Sequence, residues 1–315
     1  MTSPRVAFIG SPDFAVASLQ ALMLAGVEVV AVVTQPDKPA GRGNALKAPA
    51  VKVFAEAHGL PLLQPSKVRD GTLAAWLRSH SPELVVVAAY GRILGDDVLH
   101  LTPLGCVNVH ASLLPRWRGA SPITRCIAAG DSHSGLCLMQ MDAGLDTGPV
   151  LARTSVPIAD DDTTTTLEAK LAAAGAQLLV ESLPQIVAGH LKPVPQPSEG
   201  VTLAPPLDKA EGQIDWTRDA RKVHAHIRAM QPWPGATTVP PEVHAEVWKV
   251  FHEGLALGTD RGEPGQIVRI ERDAVWVATG DGSIRLTAMQ RPGRKPMSAG
   301  DVVRGMRWTV GARVG

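Results

Sequence analysis

Three cysteines, no long apolar run and almost no net charge set the first limits on this 315-residue chain. Cys106, Cys126 and Cys137 are odd in number and none forms a Cys-x-x-Cys pair, so neither a disulfide framework nor a zinc ribbon can be written from them. Cys106 and Cys137 fall in apolar, strand-like runs, where a free thiol behaves as a small hydrophobe. Buried thiols in a reducing compartment are expected. His224 and His226 lie two apart, not at the i, i+4 spacing of a zinc helix, and no Cys or His set completes a site, so no metal is expected. No apolar stretch reaches the ~18 residues of a membrane span, and Met1 leads into a strand pattern at Arg5 without a charged leader or apolar signal core. The expectation is a cytoplasmic protein without membrane contact. The net charge of +1 gives no global basic field, so an RNA partner would have to be met by local patches. The fingerprint Gly-x-Gly-x-x-Gly is missing at both Gly10 and Gly41–Gly43, which rejects a nicotinamide cofactor.

What is present is an alternation of strand and helix patterns. Arg5–Gly10, Val27–Thr34 and Leu84–Ala88 are short runs that are apolar nearly throughout, as in parallel strands covered on both faces, and Cys106–His110 is the next strand. Helical patterns stand between them at Phe14–Leu24, Pro49–His58 and Val68–His80, with a short strand at Leu60–Leu63. Ser134–Met141 and Val150–Val156 are further strands, and Asp160–Asp162 supplies N-cap residues for a long helix from Thr163 to about Val187. The order implies an α/β domain: a Rossmann-like open parallel sheet with helices on both faces, over residues 1–190. Lys192–Pro206 holds five prolines and reads as a semi-extended linker, placed at 191–206. Beyond it, after a helical pattern at Arg218–Met230, the runs Glu246–Phe251, Gly265–Ile270, Ala274–Ala278 and Ile284–Ala288 are strands. Thr279-Gly280-Asp281-Gly282 is a strong hairpin signal. Residues 207–315 are therefore expected to form a small OB-like β-barrel.

Two stretches can carry chemistry. In Asn108–Gly119, Asn108 and His110 are two apart in a strand, so both side chains point to one face at its C-terminal end. Ligands of open α/β sheets bind outside the carboxyl ends of strands, and an amide beside an imidazole suits a reacting carbonyl. In Met141–Gly148, two aspartates and two glycines suggest a rigid turn presenting a carboxylate. Asp146 can meet His110 in space and orient its ring, but spacing does not require it. Alone, Asn-x-His is also an ordinary loop contact and Asp-x-x-Gly an ordinary turn.

The strings Asn-Val-His-Ala-Ser-Leu-Leu-Pro-Arg-Trp-Arg-Gly-Ala-Ser-Pro-Ile (108–123) and Asp-Ala-Gly-Leu-Asp-Thr-Gly (142–148) resemble the signature of the folate-dependent formyltransferases. Phe8–Ala15, Thr34–Gly43, Gln231–Gly235 and the trailing β domain are similar to the tRNA-directed branch in particular, so the resemblance runs from Arg5 to about Met306. It departs at Ala111, where glycine is common, at Arg92, where an apolar residue is expected, and in a linker poor in basic residues. The resemblance implies transfer of a formyl group from 10-formyltetrahydrofolate to the α-amino group of methionyl initiator tRNA. Asn108 and His110 would then be donors to the charge developing on the formyl oxygen, with Asp146 orienting His110 and helping to accept the amine's proton. It places folate along Ser112, Leu113, Leu114 and Pro115 and the turn with Ala89, Tyr90 and Gly91, and it implies a monomer.

Thr34–Ala48 is a fifteen-residue connection without periodicity, and such connections are commonly functional. Lys38, Arg42 and Lys47 make it basic; the resemblance turns it into the element that grips the acceptor end of tRNA. The second domain is mildly basic, with 16 Lys/Arg against 13 Asp/Glu from Leu207 to Gly315, and can track an RNA backbone. Three alternatives stay open: a formyltransferase for a small amine or sugar nucleotide, a noncatalytic RNA-binding module, and a hydrolase releasing formate.

Overall fold

The computed structural model describes residues 4–40, 45–241 and 246–315. Two compact units form: Met1–Pro122, Ser134–Pro157 and Glu168–Ala204 make the first, and Ile123–His133, Ile158–Leu167 and Pro205–Gly315 the second. Strand Arg5–Gly10 (β1) leads into helix Asp13–Leu24 (α1), strand Glu28–Val33 (β2) and a hairpin of Lys38–Ala40 (β3) and Ala45–Lys47 (β4). Helix Ala50–Ala57 (α2), strand Leu62–Leu63 (β5), helix Thr72–Ser79 (α3), strand Leu84–Ala88 (β6) and the short helix Asp96–Leu99 (α4) follow. Next come strand Cys106–His110 (β7), the two-residue strand Arg118–Gly119 (β8), helix Pro122–Ala129 (α5), strands His133–Gln140 (β9) and Val150–Pro157 (β10), helix Thr164–Val187 (α6) and strand Leu203–Ala204 (β11).

The first unit is built on a seven-stranded sheet of order β10-β9-β7-β6-β1-β2-β5. The pairs among β7, β6, β1, β2 and β5 are parallel. The sheet is parallel in its main part, as expected, and at its other edge β9 runs antiparallel to β7, with His110 opposite Cys137. Strands of the parallel part are apolar on both faces because both faces are covered. Ala7, Ile9, Ala31, Val33, Val85 and Val87 pack against Leu73, Ala74 and Leu77 of α3 and Val98 and Leu99 of α4. On the other face α1 lies against β1 and β6, and α6 approaches so closely that a Cβ on Gly175 would stand 3.1 Å from Val109 and 3.2 Å from Leu136. Val109 therefore points to α6, and its neighbours Asn108 and His110 point the other way.

Two departures from the sequence reading bear on the site. The Thr34–Ala48 connection is not irregular: β3 and β4 pair antiparallel, with Lys38 opposite Lys47. Residues 191–204, read as linker, pair within the first unit, where Val194 bridges Val150 and β11 lies parallel to β8.

The second unit holds helix Ala220–Ala229 (α7), strands Ala236–Thr238 (β12), Trp248–Val250 (β13), Ala256–Gly258 (β14), Ile267–Ile270 (β15), Val275–Ala278 (β16), Ser283–Leu286 (β17), Ala288–Gln290 (β18) and Met297–Ser298 (β19), and helix Ala299–Met306 (α8). Two four-stranded sheets result, β12-β13-β18-β19 and β14-β17-β16-β15, and every pairing in them is antiparallel. Thr279–Gly282 makes the expected hairpin, closed by Thr279 N–H donating to Gly282 O at 3.0 Å. Gln231–Gly235 forms the turn from α7 into β12, with the Gln231 amide donating to Val250 O at 3.0 Å. Arg228 is buried on α7. It donates to Ala159 O at 3.1 Å and Asp162 O at 2.7 Å, and through Nε to His224 Nδ1 at 3.2 Å.

Candidate functional site

β7 ends the parallel part of the sheet, and its last residues turn polar where the strand leaves the core. Asn108 is half-buried and His110 buried at 6% exposure. The Asp146 carboxylate comes within 3.6 Å of His110 Nδ1. That is ion-pair distance and longer than a hydrogen bond, a common looseness before substrate binds. The same carboxylate oxygen accepts the Gly119 N–H at 2.8 Å. On the other side of the imidazole, Nε2 lies 3.2 Å from Trp117 O. Both ring nitrogens thus face acceptors, which fixes the ring plane. Among the described residues the Asn108 amide has no hydrogen-bond partner, so its donors are available to a ligand.

The Met141–Gly148 turn is as rigid as its composition suggested. Asp142 Oδ1 accepts the Gly144 N–H at 3.0 Å and the Thr147 hydroxyl at 2.7 Å. Gly148 must be glycine, because a Cβ there would stand 1.8 Å from Gln140 O. Asp146 itself has φ 51°, in the left-handed region, a conformation costing a non-glycine residue roughly 1–2 kcal/mol.

The residues assigned to folate lie at the C-terminal ends of β6 and β7. Ala89 and Gly91 have φ 45° and 72°, so the chain turns sharply there, and the Gln35 amide holds Tyr90 O. Tyr90, Ser112 and Leu114 are buried at 2%, 0% and 3% exposure. Their side chains belong to the fold, and contact with a ligand is left to backbone groups and to Ala89, Gly91, Leu113 and Pro115. The Ser112 hydroxyl donates to Arg116 O at 2.6 Å, and the Leu114–Pro115 bond is cis. Both unusual residues of the resemblance have a structural account. Arg92 donates to Pro65 O and Ser66 O, each at 3.0 Å, tying the turn to the segment after β5. Ala111 has no positive φ, so glycine is not required.

A cavity of about 850 Å³ opens beside the ends of β1, β2 and β6, lined among others by Ser11, Asp13, Lys38, Lys47, Phe54 and Ala89. Its size suits a small molecule, although Asn108, His110 and Asp146 do not line it. The hairpin's acid, Asp37, accepts Lys52 at 2.8 Å and the Gln64 amide at 2.7 Å. The Gln64 bond and then Lys52 hold its carboxyl below the usual range. The lysine that neutralises Asp37 therefore comes from α2, and Lys38 and Lys47 remain on the hairpin face. Lys38 bonds Gln35. Arg42 lies outside the described residues. No cluster of three or more His, Cys, Asp or Glu suited to a metal occurs among the described residues. All three cysteines are buried and none forms a disulfide, and burial pushes the Cys106 thiol up to about 12.

Two family models match this chain: formyl transferase over residues 4–183, and formyl transferase, C-terminal domain, over residues 206–307. The chain belongs to the formyl transferase family. Among curated members, the methionyl-tRNA formyltransferase of Anaeromyxobacter dehalogenans (strain 2CP-1) is 50% identical over 306 residues, covering 96% of this chain and 97% of that one. That of Myxococcus xanthus (strain DK1622) is 49% identical over 313 residues, covering 99% and 98%. Two solved structures share the fold. An N-formyltransferase from Helicobacter canadensis, in complex with folinic acid and dTDP-3-aminofucose, gives a TM-score of 0.66 at 15% identity and covers 91% of this chain and 99% of that one. HypX from Aquifex aeolicus, in complex with tetrahydrofolic acid, gives 0.62 at 16% identity and covers 98% and 48%. At that identity the likeness is one of fold alone. Sequence reasoning missed the contacts of Gln196 with Arg118 and with the backbone of Asp146 and Gly148. Gln196 sits in the proline-rich stretch, which has no periodicity to mark it.

Proposed function

We propose that this chain transfers the formyl group of 10-formyltetrahydrofolate to the α-amino group of methionyl initiator tRNA, the modification that prepares it for translation initiation. The acceptor's identity rests on near-full-length relatives bearing the name methionyl-tRNA formyltransferase at about half identity. The observation that carries the chemistry is the His110–Asp146 pair beside the unpartnered Asn108 amide at the end of β7. A small-amine or sugar-nucleotide formyltransferase is disfavoured by the near-full-length relatives at about half identity, all bearing the name methionyl-tRNA formyltransferase, and would not call for the basic hairpin. A noncatalytic RNA-binding module leaves Asn108, His110 and Asp146 unexplained.

When bound, 10-formyltetrahydrofolate supplies the formyl carbon that the amine attacks. The chain's residues fit such a ligand: the Ala89–Gly91 turn and Leu113–Pro115 offer backbone groups and apolar surface beside a polar strand end. Asn108 Nδ2 donates toward the formyl oxygen as it gains charge, and a donor so placed is worth on the order of 3 kcal/mol. His110 would be the second donor, through the Nε2–H that Trp117 O otherwise accepts at 3.2 Å, with Asp146 facing Nδ1. The Asp146 carboxylate, within reach of His110 Nδ1, is the base at which the amine's proton is collected. Lys38, Lys47 and Arg42 would meet the acceptor-end phosphates, with the first unit as the catalytic domain and residues 207–315 as additional RNA-binding surface. The enzyme acts as a monomer in the cytoplasm; among the described residues no helix is long and apolar enough to cross a membrane.

The test supplies 10-formyltetrahydrofolate with charged initiator tRNA, a charged elongator tRNA or free small amines, and asks which product carries formyl. Formyl on initiator tRNA in strong preference is expected. Formate released equally with and without an amine acceptor would make the protein a hydrolase.

A further inference from the structure

The Asp146 turn is mostly exposed, holds its aspartate in a left-handed conformation, and yet must present the carboxylate to His110 within a few tenths of an ångström. Its internal bonds through Asp142 stiffen the turn but do not fix it to the rest of the unit. Its first residue is tied to β7 by the Met141 N–H donating to Cys106 O at 2.8 Å, and its far end is held from the proline-rich stretch, fifty residues beyond Asp146. Gln196 Nε2 donates to Asp146 O at 2.8 Å and to Gly148 O at 2.7 Å. Gln196 Oε1 accepts from Arg118, from Nη2 at 2.8 Å and from Nε at 3.1 Å. A primary amide has two donor hydrogens and two acceptor lone pairs, and here all four are used. Its orientation is unambiguous, because carbonyls can only accept and a guanidinium can only donate.

The bonds close a ring. Arg118 is followed by Gly119, whose N–H holds the Asp146 carboxylate, and preceded by Trp117, whose carbonyl faces His110 Nε2. The 117–119 segment is in turn fastened from the same stretch, by the Trp117 N–H donating to Thr202 Oγ1 at 2.8 Å and the Arg118 N–H to Thr202 O at 2.9 Å. Gly119 approaches so closely that a Cβ would stand 2.6 Å from Ala204 O. The stretch between 194 and 204 therefore braces both partners of His110.

We propose that Gln196 is a positioning residue for formyl transfer: its amide clamps the backbone of the Asp146 turn to Arg118 and so sets the carboxylate against His110. This rests on the reading of Asp146 given above. Gln196 touches neither reacting group, so its effect belongs in turnover and must run through Asp146. A misplacement of about 1 Å can cost up to ~100-fold in rate.

The experiment measures steady-state formylation of methionyl initiator tRNA by the full chain and its Gln196→Met, Gln196→Glu and Asp146→Asn variants, and by the Gln196→Met/Asp146→Asn double variant, with melting temperatures alongside. Methionine keeps the length without the amide; glutamate sets a carboxylate against two carbonyls. Gln196→Met is expected to lower kcat by ~10- to 100-fold, Gln196→Glu by more, with KM for both substrates within about twofold. In the Asp146→Asn background Gln196→Met should cost less than about twofold. A kcat within twofold of wild type in Gln196→Met, or the same fold-loss with and without the Asp146 carboxylate, overturns the proposal. Should Gln196→Met melt too low to assay, Arg118→Lys, which loses the forked donor, is expected to reproduce the kcat loss; an unchanged kcat there overturns the proposal equally. A wild-type chain that formylates no tRNA would sink the underlying reading instead.

Discussion

His110 in the first unit and His224 in the second are both withdrawn from water, yet their neighbours are opposite in kind. His110 stands at the end of a strand with a carboxylate at one nitrogen and a carbonyl at the other. His224 lies on α7 with a guanidinium donating into its Nδ1, and burial followed by that Arg228 charge lowers it to about 4. One histidine is surrounded by acceptors at the edge of the core, the other sits half-buried beside a cation. His226, two residues on, is also lowered, chiefly by burial, and its Nε2 is buried without a partner. The contrast separates a ring set between acceptors, which we propose serves the chemistry, from rings kept neutral as part of the packing. A perturbed histidine is often taken as the sign of a functional site; the shift at His224 follows from burial and from Arg228, and it marks structure.

The largest expected effect lies on the His110 side of this contrast. Asn108→Ala and His110→Ala should each lower turnover at least ~100-fold, as expected for loss of a donor to developing charge, with little change in melting temperature. Near-normal turnover in either variant removes that residue from the mechanism.

Next in size is the guanidinium on the other side. Arg228→Met should lower unfolding free energy by roughly 2–4 kcal/mol, because it leaves the buried carbonyls of Ala159 and Asp162 without their donor. Below its melting temperature the variant should keep formylating within a few-fold of wild type. A large loss of turnover without loss of stability would blur the distinction drawn here.

The acid response follows from His224. Its folded pKa of about 4 lies below the unfolded value, so the unfolded chain binds more protons as pH falls. Its contribution to stability is complete above about pH 6.5 and shrinks as pH falls toward 4. Urea unfolding at pH 7 and at pH 4.5 should show wild type losing on the order of 2 kcal/mol more than His224→Gln, which can still accept from Arg228 but does not titrate. Equal losses would mean that His224 is not held neutral.

The smallest effects belong to the hairpin lysines. Lys38→Ala and Lys47→Ala should lower kcat/KM for tRNA by a few-fold at low salt, and the difference should shrink as salt rises. Folate binding measured in parallel should not change. A salt-independent loss would make these residues part of the cavity wall rather than phosphate contacts.

The sequence was legible where one physical signal acted alone. Leu84–Ala88 was bounded correctly because a strand covered on both faces is apolar from end to end. The Asn108–His110 pairing on one face followed from the period of two. The β3–β4 hairpin was not seen, since three-residue strands containing Lys38, Pro39 and Lys47 alternate neither in polarity nor in propensity. Helix α8 was hidden by Gly300 and Gly305 inside it, although Ser298, whose hydroxyl accepts the Asp301 N–H at 3.1 Å, was a usable N-cap signal. The bracing of the Asp146 turn by Gln196 was beyond reach, because one polar side chain in a proline-rich stretch gives no sign of a carbonyl fifty residues away.

The account depends most on the carboxylate of Asp146. Asp146→Asn keeps the size of the side chain and an oxygen for the Gly119 N–H, and removes only the charge. Single-turnover formylation of methionyl initiator tRNA, with enzyme and 10-formyltetrahydrofolate both saturating, should slow at least ~100-fold in this variant, with folate and tRNA binding unchanged. A rate of chemistry near that of wild type would contradict the account, and the amine's proton would then have to be collected elsewhere.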